Sequence, residues 1–250
     1  MLNSMFSCLK FAFLIVFVVL AAGCGTTKQA RSIEKSGFLG DYTSLRPGID
    51  GQALLLYDDA QADCKKYDSV ILDSVTLWAK DQDSSLQQLA ANDRNTLRAL
   101  GDKALADMFT QAGYHVVQKP APNVMRVRAA FTEAEKANVL MEDLSVVAPY
   151  ASTAATIYAE GKGQGLFTGA LAYEIELLDS VTGKRLSATV DKRVGLLDLR
   201  NLDEWDSIKA MLDGWRERGV KRFKLCRSSG SFVFRPTDDS LNNTLESYRP

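Results

Sequence analysis

Apolar residues recur along this chain with changing periods, and each change predicts a boundary. Ser69 to Trp78 is β-branched and apolar on both parities, the pattern of a strand covered on two faces, so it is predicted to be central. Ser84 with Gln87 three residues on resembles a capping box. A helix is predicted from there, or from Asp93, to Ala112, with Gly113 as its stop. Leu97, Leu100, Ala104, Leu105, Met108, Phe109 and Ala112 return at spacings of three and four, one buried stripe. Tyr114 to Val117 predicts a short strand and Lys119 to Asn123, with two prolines, a turn. Val124 to Phe131 then alternates, Met125, Val127, Ala129 and Phe131 against Arg126 and Arg128, and the two strands predict a hairpin. Residues 132–160 carry the weakest pattern, with a helix predicted through Ala134 to Leu140. Leu171, Tyr173, Ile175 and Leu177 alternate against Glu174 and Glu176. Asp179 to Gly183 turns, and Leu186, Ala188 and Val190 alternate again, a second hairpin whose two glutamates are expected on its solvated face. Asp203 opens a last helix with Trp205, Ile208, Met211, Leu212 and Trp215 on one stripe and Gly219 as its end.

This order of elements lacks the strict alternation of a parallel α/β fold. It predicts an α+β domain, a mostly antiparallel sheet with two main amphipathic helices packed on one face. The domain is expected over residues 37–226, with residues 227–250, rich in Ser, Asn, Asp and Arg, largely disordered. Ahead of it, Gly37 to Tyr42 and Leu45 to Gly48 place large apolar side chains among turn residues, a segment expected to be pinned onto the domain rather than to form a strand.

Residues 1–23 change the picture, because they decide where the domain works. One cation, Lys10, precedes an apolar run from Phe11 to Ala22, about half of the roughly 20 residues that span a bilayer. Small residues close it, the three-part pattern of a cleavable export signal. Leu20-Ala21-Ala22-Gly23-Cys24 resembles the lipobox of bacterial lipoproteins, which implies diacylglycerol on the Cys24 thiol, cleavage before it and an acylated amino group. Two or more chains give stable anchoring. Gly25 resembles the pattern sorted to the outer membrane, facing the periplasm. Residues 24–36 then read as the lipidated cysteine and a polar, flexible tether.

Charge and cysteines narrow the function classes. The chain has 30 Lys and Arg against 31 Asp and Glu, net −1, which argues against nucleic acid as a partner. With Cys8 in the leader and Cys24 lipidated, Cys64 and Cys226 are candidates for a disulfide in an oxidising compartment; the alternative is two separate buried thiols.

The lipobox and tether, together with Ser36-Gly37-Phe38-Leu39, Asp41-Tyr42, Leu45 with Pro47-Gly48, Val75-Thr76-Leu77-Trp78 and Asp179-Ser180-Val181-Thr182-Gly183, resemble the bacterial lipoproteins grouped as domain of unknown function 3313. The resemblance runs from about Ser36 to Phe223. It implies a periplasm-facing lipoprotein and brings no catalytic residue with it.

Candidate chemistry is sparse. His115 is the one histidine, placed in a strand, and a zinc site with Cys64 and Cys226 would need both thiolates unbridged. Gly161-Lys162-Gly163-Gln164-Gly165 lacks the Ser or Thr after lysine and the following helix of a phosphate loop. Asp81-x-Asp83-x-Ser85 resembles the start of a calcium loop, but Asn92 stands where the bidentate Glu belongs. No catalytic residue, metal site or cofactor is assigned. Arg216, Arg218, Lys221, Arg222, Lys224 and Arg227 gather positive charge at the end of the last helix, a candidate contact for anionic head groups. The first expectation is a non-enzymatic, membrane-tethered module that interacts with an envelope protein. The alternatives are an envelope hydrolase or transferase acting through an acid such as Glu174 or Asp191, and a carrier of a small apolar ligand between helix and sheet.

Overall fold

The computed structural model describes residues 27–82, 84–135, 169–195 and 205–233. Its strands are β1 (Thr27–Gln29), β2 (Arg46–Pro47), β3 (Leu55–Asp58), β4 (Ser69–Leu72), β5 (Thr76–Leu77), β6 (His115–Val116), β7 (Val124–Glu135), β8 (Ala170–Asp179) and β9 (Arg185–Gly195). A 3-10 turn spans Cys64–Lys66, and the helices are α1 (Ser85–Gln88), α2 (Ala91–Gln111) and α3 (Asp206–Ser229). The described strands form one sheet in the order β2-β3-β9-β8-β7-β4-β6, with β1 also on β9 and β5 also on β7. The long pairs β7–β8 and β8–β9 are antiparallel, while β4 and β5 run parallel to β7. The fold is α+β with a mixed, mostly antiparallel sheet and two main helices.

Both helices cover one face. Their buried stripes meet Met125, Val127, Ala129 and Phe131 of β7 and Leu171 and Leu177 of β8. The opposite face is covered by the irregular segment 33–45, the strap, which sets Phe38 and Leu39 on Ala130, Ala188 and Val190. The apolar residues scattered among turns in that segment therefore do pin it to the domain, and they turn a half-exposed sheet into one covered on both sides.

Five local readings change. The apolar run 69–78 is broken into β4 and β5, because the Val75 N–H donates to Asp102 Oδ1 (2.7 Å) instead of to a ladder and Arg126 takes the Asp73 carboxylate at 2.9 Å. The stretch 114–131 is no hairpin, since β6 pairs in parallel with β4, which sits between it and β7. Parallel neighbours need a crossover, and α2 supplies it between β4 and β6. Ala134 and Glu135, assigned to a helix from sequence, continue β7; residues 136–140 lie outside the described residues. Thr27–Gln29 is not free tether but a strand on Arg193–Gly195. The β8–β9 register slips between Leu177 and Leu178, a bulge after which β9 presents the opposite parity. Ser187, Thr189 and Asp191 thus face the helices, while Ala188 and Val190 face the strap.

The last helix also runs further than Gly219. A Cβ there would lie 2.0 Å from Met108 Sδ, so this glycine serves the close crossing of α2 and α3 and not a stop. The real end is Gly230, left-handed at φ +84°, whose N–H donates to the Cys226 carbonyl. Beyond it Phe232 is 1% exposed and packs at 6.5 Å from the Tyr67 ring. Residues 227–233 therefore belong to the domain, because the terminal apolar side chain completes the core; residues 234–250 lie outside the described residues.

Candidate functional site: a cavity between helices and sheet

Where α2 and α3 diverge over the sheet they leave a cavity of about 260 Å³. Its walls are mainly apolar: Ala104, Leu105 and Met108 from α2, Leu212, Trp215 and Phe223 from α3, and Phe131, Tyr173 and Ile175 from the sheet. At Gly101 the backbone of α2 lies directly against the sheet, since a Cβ there would lie 2.6 Å from the Phe131 ring. The loop Ile49–Ala53 forms part of its rim, with Ile49 half exposed.

One end is polar, and the β8–β9 bulge puts it there by turning Ser187, Thr189 and Asp191 inward. Asp191 is buried and accepts from Trp215 Nε1 (2.8 Å) and Gln29 Nε2 (2.6 Å). The Asp58 side chain, enclosed although its backbone is not, accepts through Oδ1 from Ser187 Oγ (2.8 Å) and pairs with Arg222. Arg218 projects from α3 into the same end, and its Nη2 is enclosed without a hydrogen-bond partner among the described residues. Burial first, and then the charge of Arg218, lowers the pKa of the Arg193 guanidinium. Tyr173 is pushed up to about 12 by burial, with the Asp191 charge adding to it. Its ring meets that of Trp215 edge-on at 4.4 Å. Among the lining residues Arg216, Arg218, Lys221 and Arg222 stand against Asp50 and Asp191, which gives the cavity a positive excess.

The candidate residues named from sequence do not form one site. The six cations divide. Arg216, Arg218, Lys221 and Arg222 line the cavity, Arg216 also pairing with Asp213 at 3.2 Å and donating to Gln111. Arg227 donates to the Gly113 carbonyl and lies 5.2 Å from the Tyr114 ring, while Lys221 and Lys224 are exposed. The readable signal was phase: Arg218 and Arg222 fall on the stripe of Ile208, Met211, Trp215 and Cys226, whereas Lys224 lies off it.

Glu174 and Glu176 are not solvated. At 0% and 3% exposure they lie under the strap, where Glu174 accepts from the Ser36 N–H (2.8 Å) and the Tyr42 hydroxyl (2.5 Å). Lys192 pairs with Glu133, and Arg193 donates to Thr27. Glu174 faces the strap and Asp191 the cavity, so these two acids cannot act on one substrate. Cys64 and Cys226 are joined as a disulfide with Cα atoms 5.5 Å apart. His115 is exposed on β6, the end strand of the sheet, and no group of three His, Cys, Asp or Glu is placed to hold a metal ion among the described residues. Cys24, Asp83 and Gly161–Gly165 lie outside the described residues. No described helix is long and apolar enough to cross a membrane. Sequence reading missed Asp58, Arg193 and the rim loop, which only the sheet order brings to the cavity.

A family model described as a protein of unknown function, DUF3313, matches residues 34–218, well over half of the chain. No curated protein matches it in sequence. Among solved structures, the PelC dodecamer from Paraburkholderia phytofirmans is similar at 12% identity, over 66% of this chain and 94% of that one, with a TM-score of 0.36. Lipoprotein GNA1162 from Neisseria meningitidis is 14% identical over 61% and 97%, TM-score 0.32. A DUF4136 family protein from Bacteroides thetaiotaomicron is 12% identical over 70% and 94%, TM-score 0.30.

Proposed function

Because this chain belongs to the DUF3313 family of proteins of unknown function, a name that carries no activity, we propose from the site that it is a non-enzymatic carrier of a small apolar ligand. In this reading it is a lipoprotein, held by lipid on Cys24 to the outer membrane and facing the periplasm. The observation that supports it is the cavity of about 260 Å³ with its largely apolar walls. Well-packed interiors leave few voids larger than a water molecule, and this one lies just below the roughly 300 Å³ at which ligand pockets of drug-like size begin. It has room for a single chain or ring system.

The full chain carrying Cys24→Ser, titrated with the neutral fluorophore N-phenyl-1-naphthylamine, is expected to give a saturable rise in emission. Ala104→Phe, which fills the cavity from α2, is expected to weaken it at least about tenfold, the order of one lost buried methylene or two, while the far-ultraviolet spectrum is kept. A parent without a saturable signal ends the carrier reading. The anchor has its own test. The parent should incorporate labelled palmitate and sediment with membranes, and Cys24→Ser should do neither; equal sedimentation of both removes the anchor.

The interaction-module reading draws on the open side of the sheet. There the end strand β6 leaves Val116 45% exposed, a place where a strand of an envelope partner could add. Cross-linking in intact cells followed by mass spectrometry would find that partner.

A further inference from the structure

We infer that the cavity takes a single-chain amphiphile with a monoanionic head, the chain among Leu105, Met108, Ile175 and Leu212 and the head on Arg218. This rests on the carrier reading and adds the ligand class to it.

Three observations converge. First, the cavity lining carries Arg216, Arg218, Lys221 and Arg222 against Asp50 and Asp191, and Arg193 lies close enough behind it for Arg218 to lower its pKa, so cations exceed acids in a partly desolvated place. A buried cation is costly until something neutralises it. Second, the carboxylates are already engaged elsewhere. Asp191 is taken by Trp215 and Gln29, and Asp58 Oδ1 by Arg222 and Ser187, while the buried Asp58 Oδ2 has no hydrogen-bond partner among the described residues. The Arg218 Nη2 is enclosed and has no hydrogen-bond partner among the described residues. A carboxylate or phosphate oxygen is the acceptor a guanidinium favours. Third, the rest of the lining is apolar and the space is small, which suits one chain and excludes two.

The strand β1 adds a source. Gln29 donates to the Gln52 carbonyl at 2.8 Å and so ties β1 to the rim loop. Cys24 precedes Thr27 by three residues, which at about 3.6 Å per residue reach at most about 11 Å. A lipid on Cys24 would thus hold the rim close to the bilayer, where single-chain amphiphiles reside.

The test uses the full chain with Cys24→Ser and displacement of N-phenyl-1-naphthylamine by four twelve-carbon probes: laurate, dodecyl phosphate, dodecanol and dodecyltrimethylammonium. At least one of the two anions is expected to displace the fluorophore at a concentration about tenfold or more below that of dodecanol, the strength of one charge-assisted hydrogen bond; the ammonium is expected to be weakest. The stronger anion separates a carboxylate head, as in a free fatty acid, from a phosphate head, as in a lysophospholipid. Arg218→Gln should erase the preference while fluorophore binding persists, and Arg218→Lys should keep part of it. If the four probes displace equally, or if Arg218→Gln leaves the preference intact, the head-group assignment falls while the carrier reading stands. If the fluorophore never binds, both fall together.

Discussion

Replacing both Cys64 and Cys226 with serine is expected to lower the unfolding free energy by up to about 5 kcal/mol, the chain-entropy value for closing a loop of this length. The two residues are separated by 162 positions, so the cross-link encloses nearly the whole sheet and both main helices. Removing it enlarges the unfolded ensemble far more than it disturbs the folded one. Locally the bond joins the turn Cys64–Lys66 to the last turns of α3, beside Tyr67, Phe109 and Phe232. That is where Phe232 closes the core, so the loss should appear first as release of residues 227–233. Denaturant unfolding of parent and double variant measures the difference, and hydrogen exchange at Phe232 places it. A difference below about 1 kcal/mol would show that packing alone holds this corner. Because both sulfur-bearing residues are buried, at 0% and 1% exposure, reductant should act on the native parent only as fast as it opens.

The second large effect is expected at Glu176. Its carboxylate is 3% exposed and accepts from Arg128 Nη1 at 2.5 Å and Arg185 Nε at 2.9 Å. Arg185 uses its remaining donors on the strap, to the carbonyls of Leu39 and Asp41, both at 2.7 Å. The Arg128 guanidinium lies 5.2 Å from the Phe38 ring. Glu176 is thus the counter-charge that lets two arginines fasten the strap. Glu176→Ala leaves both cations beneath it uncompensated, and the expected cost is about 3 kcal/mol, the low end for breaking a buried ion pair because Arg128 is partly solvated. Glu176→Gln, which keeps the shape and some hydrogen bonds, should cost less. Limited proteolysis should cut the strap between Ile33 and Leu45 in Glu176→Ala while the helices stay protected. Cleavage in the helices first, or a cost under about 1 kcal/mol, would contradict this role.

These two sites show why part of the molecule was legible and part was not. The stripe of α2 and the alternation of β7 and β8 report which side of each element meets the helix-covered core, and that side was read as the structure has it. The burial of Glu174 and Glu176 was not readable, because alternation with polar residues looks the same whether the polar face meets water or a strap that brings its own hydroxyl and arginine partners. The β8–β9 bulge was invisible for a related reason. Leu186, Ala188 and Val190 alternate on paper, and a single unpaired residue moves Ser187, Thr189 and Asp191 to the cavity instead. Gly219 reads as a stop by residue type, whereas its neighbour across the helix crossing, Met108, is distant in sequence.

The sequence by itself determined the class of the domain, the helix and strand faces that make its core, the apolar anchors of the strap and the family, since each follows from local period or from short contiguous motifs. Only the tertiary structure decided that the strap covers the second face, that β4 separates β6 from β7, that Cys64 meets Cys226, and that Arg218 ends in a cavity beside Asp191. Those outcomes depend on contacts between residues far apart along the chain, whose energies are set by which faces meet in space, and a one-dimensional pattern records the faces but not their partners.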